Sequence, residues 1–236
     1  MKILLTAVNA KYIHSNLGIY SLKAYADQVL GLGEAGGRNA RAKNVEPGPE
    51  PWNLRSVYRA GRVYNQPPAG PDSSGYIQKR TGCDCLFLLY LEYRIYQISN
   101  RGFRENTAGC AIWLGGPEVS FDAAKVLGEL PEATGVMKGE GEETFTQLAG
   151  YYVDKLCEKG TDSGKILPDG QACLENIPGL AFRLPDGSLA DTGVRRAMDM
   201  SRIPFPYKHM DIKDLEHRII YYESSRGCPF SCSYCL

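Results

Sequence analysis

Short apolar runs that end in polar or glycine-rich turns, each followed by a helical spacing, limit most strongly what this chain can fold into. Residues 2–8 form such a run, closed by the turn Asn9-Ala10-Lys11-Tyr12-Ile13-His14-Ser15-Asn16. Beyond it Leu17, Tyr20, Leu22, Ala24, Tyr25 and Val29 fall at a mostly helical spacing, and Gly31-Leu32-Gly33 ends the segment. Cys85-Leu86-Phe87-Leu88-Leu89-Tyr90-Leu91 reads as a buried strand. Ala111-Ile112-Trp113-Leu114 runs into Gly115-Gly116-Pro117-Glu118-Val119-Ser120 and a helix over 121–130. Gly135-Val136-Met137-Lys138 runs into Gly139-Glu140-Gly141-Glu142-Glu143-Thr144 and an amphipathic helix over 145–158, with Phe145, Leu148, Tyr152 and Leu156 on one face. The repeat of strand, turn and helix predicts an α/β fold with an open, parallel sheet. Such sheets bind ligands beyond the C-terminal ends of their strands, which places the turns at 9–15, 115–120 and 139–142 on one edge. Taken singly each turn says little, because a Gly-Gly-Pro run is most often only a turn.

Bulk composition excludes several function classes. Lys+Arg and Asp+Glu are 27 each, so no global field recruits nucleic acid or an anionic membrane. Apolar residues are 43% of the chain, enough for a core. No apolar run reaches the roughly 18 residues of a spanning helix, and the first run ends too early for a secretory signal. A cytoplasmic protein is expected. Of the eight cysteines, Cys228, Cys232 and Cys235 crowd into the last nine residues, while Cys83, Cys85, Cys110, Cys157 and Cys173 are scattered. A tight cluster in a reducing compartment points to metal rather than to bridges.

The remaining segments have their own character. Residues 37–82 are rich in Gly, Pro, Arg and Asn and lack apolar periodicity, which reads as a disordered insertion. Leu180-Ala181-Phe182-Arg183-Leu184, followed by Pro185-Asp186-Gly187-Ser188, is a strand entering a hairpin. Ile203-Pro204-Phe205-Pro206-Tyr207 is extended, since each proline restricts itself and its predecessor, and it reads as a linker. Arg218-Ile219-Ile220-Tyr221-Tyr222-Glu223 is expected to be a strand that leads into the cysteines. Trp113 is expected in the core, and the acids Glu140, Glu142 and Glu143 suit a helix N-terminus.

The chain's last residues are Arg226-Gly227-Cys228-Pro229-Phe230-Ser231-Cys232-Ser233-Tyr234-Cys235-Leu236, a C-x3-C-x2-C spacing. Three thiolates on one loop ligate three irons of a [4Fe–4S] cube and leave the fourth iron open to a ligand. A structural zinc site wants four ligands, and only Cys232 and Cys235 form a C-x2-C pair here.

This loop resembles the signature of the radical S-adenosylmethionine (SAM) superfamily, C-x3-C-x-aromatic-C, with Tyr234 as the aromatic. The resemblance implies a [4Fe–4S] cluster on Cys228, Cys232 and Cys235, SAM chelated by the open iron, and Tyr234 near the adenine. It further implies one-electron cleavage of SAM to a 5′-deoxyadenosyl radical, with electrons from an external donor. Together with the Gly-Gly-Pro-Glu-Val-Ser and Gly-Glu-Gly-Glu-Glu-Thr-Phe loops and the proline linker, the chain resembles the cobalamin-binding radical SAM proteins. By that likeness a corrin contacts Asn9, Tyr12, Ser15, Gly115, Gly116, Pro117, Glu118, Val119, Gly139, Glu140, Gly141 and Glu142, and carries a methyl group. The mutase-type D-x-H-x-x-G signature is not met: Tyr12 stands two before His14 and Gly18 is one place too far, so no histidine ligation is expected.

The implied organisation is a Rossmann-like cobalamin-binding-type domain over 1–158, a hairpin and proline-rich linker over 159–207, and over 208–236 the first strand and cluster loop of a radical SAM partial (β/α) barrel. Residues 36–109 depart from the family pattern; a compensated frameshift and a disordered insertion both stand as readings. The rest of the barrel is missing, so the chain is read as a fragment that does not turn over, and no catalytic residue is assigned. Two other classes remain open: a non-catalytic corrinoid- or nucleotide-binding module, and a zinc-stabilised interaction domain. No partner beyond small-molecule cofactors and the electron donor, and neither membrane nor nucleic acid, is expected.

Overall fold

Along the strand Ala111–Gly115 the side chains alternate between two separate cores, and that alternation organises the molecule. The computed structural model describes residues 3–8, 17–30, 85–90, 111–157, 173–207, 216–217, 219–228, 230 and 232–233. Its elements in chain order are β1 (Ile3–Val8), α1 (Leu17–Leu30), β2 (Cys85–Tyr90), β3 (Ala111–Gly115), α2 (Pro117–Phe121), α3 (Ala123–Glu129), β4 (Gly135–Met137), α4 (Gly141–Cys157), β5 (Leu180–Arg183) and β6 (Leu189–Asp191). The strands form one sheet in the order β1-β2-β3-β4-β5-β6. β1 to β4 are parallel, with Leu5 opposite Phe87, Phe87 opposite Trp113 and Trp113 opposite Gly135. β5 pairs antiparallel with β4, and β6 with β5. The expected α/β sheet is present as a mixed one, and the 180–191 hairpin extends it rather than standing apart.

At β3, β4 and β5 both faces of the sheet are covered. Trp113, Met137, Leu180 and Phe182 pack under Ile19, Leu22 and Ala26 of α1 and Phe145, Leu148 and Ala149 of α4. Ile112, Leu114, Val136 and Ala181 face the other way, under Val119 of α2 and Ala123, Val126 and Leu127 of α3. A parallel sheet buried on both faces needs continuous apolar strands, which is why 111–114 carries no charge. Trp113 is fully buried, as expected, and its indole N–H donates to the Tyr152 hydroxyl at 2.9 Å, so the ring adds no unpaired donor to the core.

Two helices differ from their expected bounds for identifiable reasons. The segment 115–120, read as a turn, contains α2: Gly116 holds φ 117°, and Pro117 then supplies a preset φ at the first helical position. Asp122 breaks the following helix from α2 and caps α3 through Lys125 N at 3.2 Å. α4 starts at Gly141, four residues before the expected onset, because Glu142 and Glu143 are favourable in a first turn. At the hairpin, Gly187 N donates to Leu184 O at 2.9 Å.

The expected strand at 218–223 is not formed as a ladder. Ile219 makes an isolated bridge, and 220–226 belong to no strand among the described residues. Side-chain patterning had suggested the strand, but a strand is made by neighbours that accept its backbone bonds. The segment is held instead by Tyr207, whose hydroxyl donates to Tyr221 O at 2.8 Å. Residues 36–84 and 91–109 of the anomalous interval lie outside the described residues, as does 9–16.

A methyl group added at Gly135 would collide with the six-membered ring of Trp113 and stand 2.8 Å from Ala181 O, where neither the backbone nor the packed indole can yield. Gly135→Ala is expected to lower unfolding stability by about 1–3 kcal/mol or more, read as a lower urea midpoint at unchanged slope.

Candidate functional site

The C-terminal ends of β3 and β4 open into two turns that one hydroxyl ties together. Ser120 Oγ donates to Gly116 O at 2.7 Å and approaches Met137 O at 3.2 Å, so the turn after β3 is fastened to the end of β4. Gly116 and Gly139 both hold positive φ, 117° and 72°, which L side chains adopt only under strain. Gly139 is exposed, and a Cβ there would meet only Val194 Cγ1 at 3.8 Å. Both turns therefore present bare backbone at the sheet edge.

Three arginines from later segments converge on the first turn of α4. Arg195 donates from Nε to Thr144 Oγ1 at 2.9 Å and from Nη1 to Glu143 Oε2 at 3.1 Å, and its Nη2 bonds Gln147. Arg202 reaches Glu143 Oε1 at 2.9 Å and the Tyr25 hydroxyl at 3.2 Å. Arg226 sets its fork on Glu142, with Nη1 to Oε2 at 3.0 Å and Nη2 to Oε1, while its Nε donates to Glu223 Oε2 at 2.8 Å. Ser21 Oγ of α1 donates to Glu142 Oε1 at 2.7 Å, and Glu140 Oε2 accepts from Met198 N at 2.7 Å. The Glu142 side chain is 4% exposed and that of Arg226 17%.

Burial alone would raise the Glu142 carboxyl pKa. The hydrogen bonds from Arg226 and Ser21 and the Arg226 charge outweigh it, and the pKa lies below its ordinary 4.5. The same pairing raises that of Arg226.

The expected contact residues divide sharply. Gly115 is buried, Gly116 and Gly141 are half-buried, and Pro117, Glu118 and Gly139 are exposed on the edge. Val119 does not offer its side chain there: it is fully buried under α3, since a helix begun by Pro117 turns it inward. Glu140 and Glu142 are bound to Met198 and Arg226 as described. Cys228 and Cys232 are exposed and unbridged. Asn9, Tyr12, Ser15, Tyr234 and Cys235 lie outside the described residues. Among the described residues no three His, Cys, Asp or Glu side chains gather as a metal site. Sequence reasoning missed Ser21, Arg195, Arg202 and Arg226, and the only linear hint was an acidic first turn without nearby bases.

A cavity of about 220 Å³ lies between the start of α1 and the segment ahead of the cysteines, lined by Leu17, Ser21, Met200, Ile203, Tyr222 and Ser224. Ligand pockets typically span about 300–1,000 Å³, so this one does not enclose a macrocycle. No helix among the described residues is long and apolar enough to cross a membrane.

Because the Glu142 pKa is depressed on folding, its contribution is present above pH 4.5 and is lost as pH falls through the folded value. Glu142→Gln is expected to cost about 1.5–3 kcal/mol at neutral pH, with the gap to wild type closing below that point. Urea midpoints followed from pH 7 downward check this.

No model of a known protein family matches the chain. The anaerobic magnesium-protoporphyrin IX monomethyl ester cyclase of Rubrivivax gelatinosus is 27% identical over 128 residues, 52% of this chain and 21% of that protein. The cyclase of the same name from Cereibacter sphaeroides is 28% identical over 124 residues, 52% of this chain and 19% of that protein. An uncharacterized methyltransferase of Pyrococcus horikoshii is 28% identical over 152 residues, 62% and 28%. The chain thus spans about a fifth of the length of the cyclases it matches. In fold it is similar to the cobalamin-dependent SAM radical enzyme OxsB, solved with aqua-cobalamin and SAM bound, at a TM-score of 0.60 and 14% identity over 99% of this chain and 28% of that one. With its cysteine spacing, its sheet-edge loops and these relatives, the chain is similar to radical SAM proteins that carry a cobalamin-binding-type domain.

Proposed function

We propose that this chain supplies the corrin-side α/β unit and the cluster-holding loop of a cobalamin-dependent radical SAM enzyme. The observation that carries the reading is the C-x3-C-x-Tyr-C spacing, directly preceded by a glycine and by Arg226, which is bound to the helix that follows β4. Three thiols on one loop are the donor set a site-differentiated cluster needs. Cys228 and Cys232 are exposed and free of bridges, which fits that use. Cys228, Cys232 and Cys235 would hold the cluster, and Tyr234 would stand beside SAM. Bound there, a [4Fe–4S] cluster would supply the electron for reductive cleavage of SAM, drawn from an external donor.

The sheet supports a Rossmann-like reading of the first unit. α1 covers the face opposite to α2 and α3. Open α/β sheets take their ligands beyond the carboxyl ends of their parallel strands, the edge at which the turns after β3 and β4 stand. A corrin is too large for the enclosed cavity and would lie across the open edge, on the backbone at Gly115, Gly116, Gly139 and Gly141, with Pro117 and Glu118 beside it. Asn9, Tyr12 and Ser15 would complete that edge. Methyl transfer or another radical modification of an unactivated carbon is the chemistry such a pair of cofactors serves. A reducing, cytoplasmic setting suits the unbridged thiols.

Anaerobic reconstitution with iron and sulfide is expected to give roughly four irons per chain and an electron paramagnetic resonance signal that changes on adding SAM. Cys232→Ala should abolish that response; a variant that keeps it, or wild type that takes up one zinc per chain and no iron, sinks the cluster reading. Aquacobalamin, followed by its visible spectrum, is expected to saturate at one per chain with Gly139→Val at least tenfold weaker. Equal binding by the variant removes the second turn from the corrin site.

A further inference from the structure

Every bond that Arg226 makes aims at an anion, and its fork reaches one on a different element from the cysteines it precedes. Its fork lies on Glu142 in α4, its Nε on Glu223, and Glu140 Oε2 stands 3.8 Å from its Nη1. Glu142 is held from its other side by Ser21 of α1. Three elements distant in sequence are therefore joined through one carboxylate. The chain then reverses at once: Gly227 holds φ 78°, and a Cβ placed there would meet nothing within 4 Å. The glycine is required by backbone conformation alone, as the turn that sends Cys228 away from the anchored guanidinium.

The flanking chain is otherwise held by the Tyr207 hydroxyl on Tyr221 O and by the ring contact between Phe205 and Tyr222. Tyr222, Ser224, Ser225, Gly227, Cys228 and Phe230 are all exposed, and no strand ladder runs through them. Arg226 carries this segment's ion pair into α4, through the buried Glu142 carboxylate. We infer that Ser21, Glu142 and Arg226 form a clamp that fixes the cysteine loop against the first turn of α4. Arg226 is on this account a positioning residue for the metal-binding thiols, acting through Gly227 on Cys228. The inference rests on the reading that those thiols hold a cluster. Lysine would keep the charge but lose the planar fork that meets Glu142 with two nitrogens and Glu223 with the third.

The test compares full-length wild type with Arg226→Gln, Arg226→Lys and Ser21→Ala, with Asp191→Asn as a control that removes the exposed pair between Lys138 and Asp191. In metal-free protein, amide hydrogen exchange over 219–233 is expected to rise at least tenfold in Arg226→Gln and less in Arg226→Lys and Ser21→Ala. Exchange over 145–157 should stay as in wild type, and the control should not change. In iron-reconstituted protein, iron content is expected to persist in Arg226→Gln while the SAM concentration that half-saturates the resonance change rises at least tenfold. Unchanged exchange over 219–233 overturns the clamp, with or without iron; if Arg226→Gln does not fold, unchanged exchange in both Arg226→Lys and Ser21→Ala does the same. An unchanged SAM response in variants whose loop exchange has risen overturns the positioning role. Loosened exchange together with wild type that takes no iron leaves the clamp standing and removes the cluster reading instead.

Discussion

Covering both faces of a short parallel sheet leaves its strand ends as the place where backbone meets solvent, and the rest of the molecule follows from that constraint. Residues on β3 and β4 are committed in strict alternation, Trp113 and Met137 to one core and Ile112, Leu114 and Val136 to the other. With side chains so committed, chemistry is left to the turns. Gly116 and Gly139 bring bare backbone there, and Ser120 binds the two turns to each other. A shift of one turn is thereby felt by the other.

Electrostatics then decides how later parts of the chain attach. α4 begins with Glu142 and Glu143, acids that its own positive end favours. Those acids in turn gather Arg195, Arg202 and Arg226 from segments 50 to 85 residues away. Glu143 is half-buried and shared by two arginines, whereas Glu142 is enclosed and given almost wholly to Arg226 and Ser21. A buried pair of this sort contributes little net stability compared with an apolar substitute, but losing one partner leaves an unmatched charge. Its value lies in geometry, since few arrangements satisfy both partners.

What could be read from sequence was local. Short apolar runs closed by turns and a period-3.6 spacing located the described strands β1 to β5 and the helices α1 and α4, because those patterns are imposed by burial within one element. The α2 helix was missed because Gly-Gly-Pro is ambiguous: the proline that ends one structure also starts another. The 218–223 segment has the side chains of a strand, but strand formation depends on neighbours that side-chain pattern does not encode. Of the proposed site, the cysteine spacing is the part that sequence alone offers. The role of Glu142 was not legible, since its partner lies 84 residues on and only folding brings Arg226 to it.

The far margin of the sheet shows a different economy. β6 has three residues, Leu189 and Asp191 exposed and Ala190 between them, and two residues beyond its end Gly193 holds φ 76°. Asp191 turns its carboxylate to Lys138 and to Gly193 N, so its charge is placed at the last rung. A strand this short offers too few free amides and carbonyls to template another, and a charge at its tip repels a flat hydrophobic newcomer. The antiparallel hairpin thus serves as a terminator, which stops the sheet from lengthening by self-association on that side.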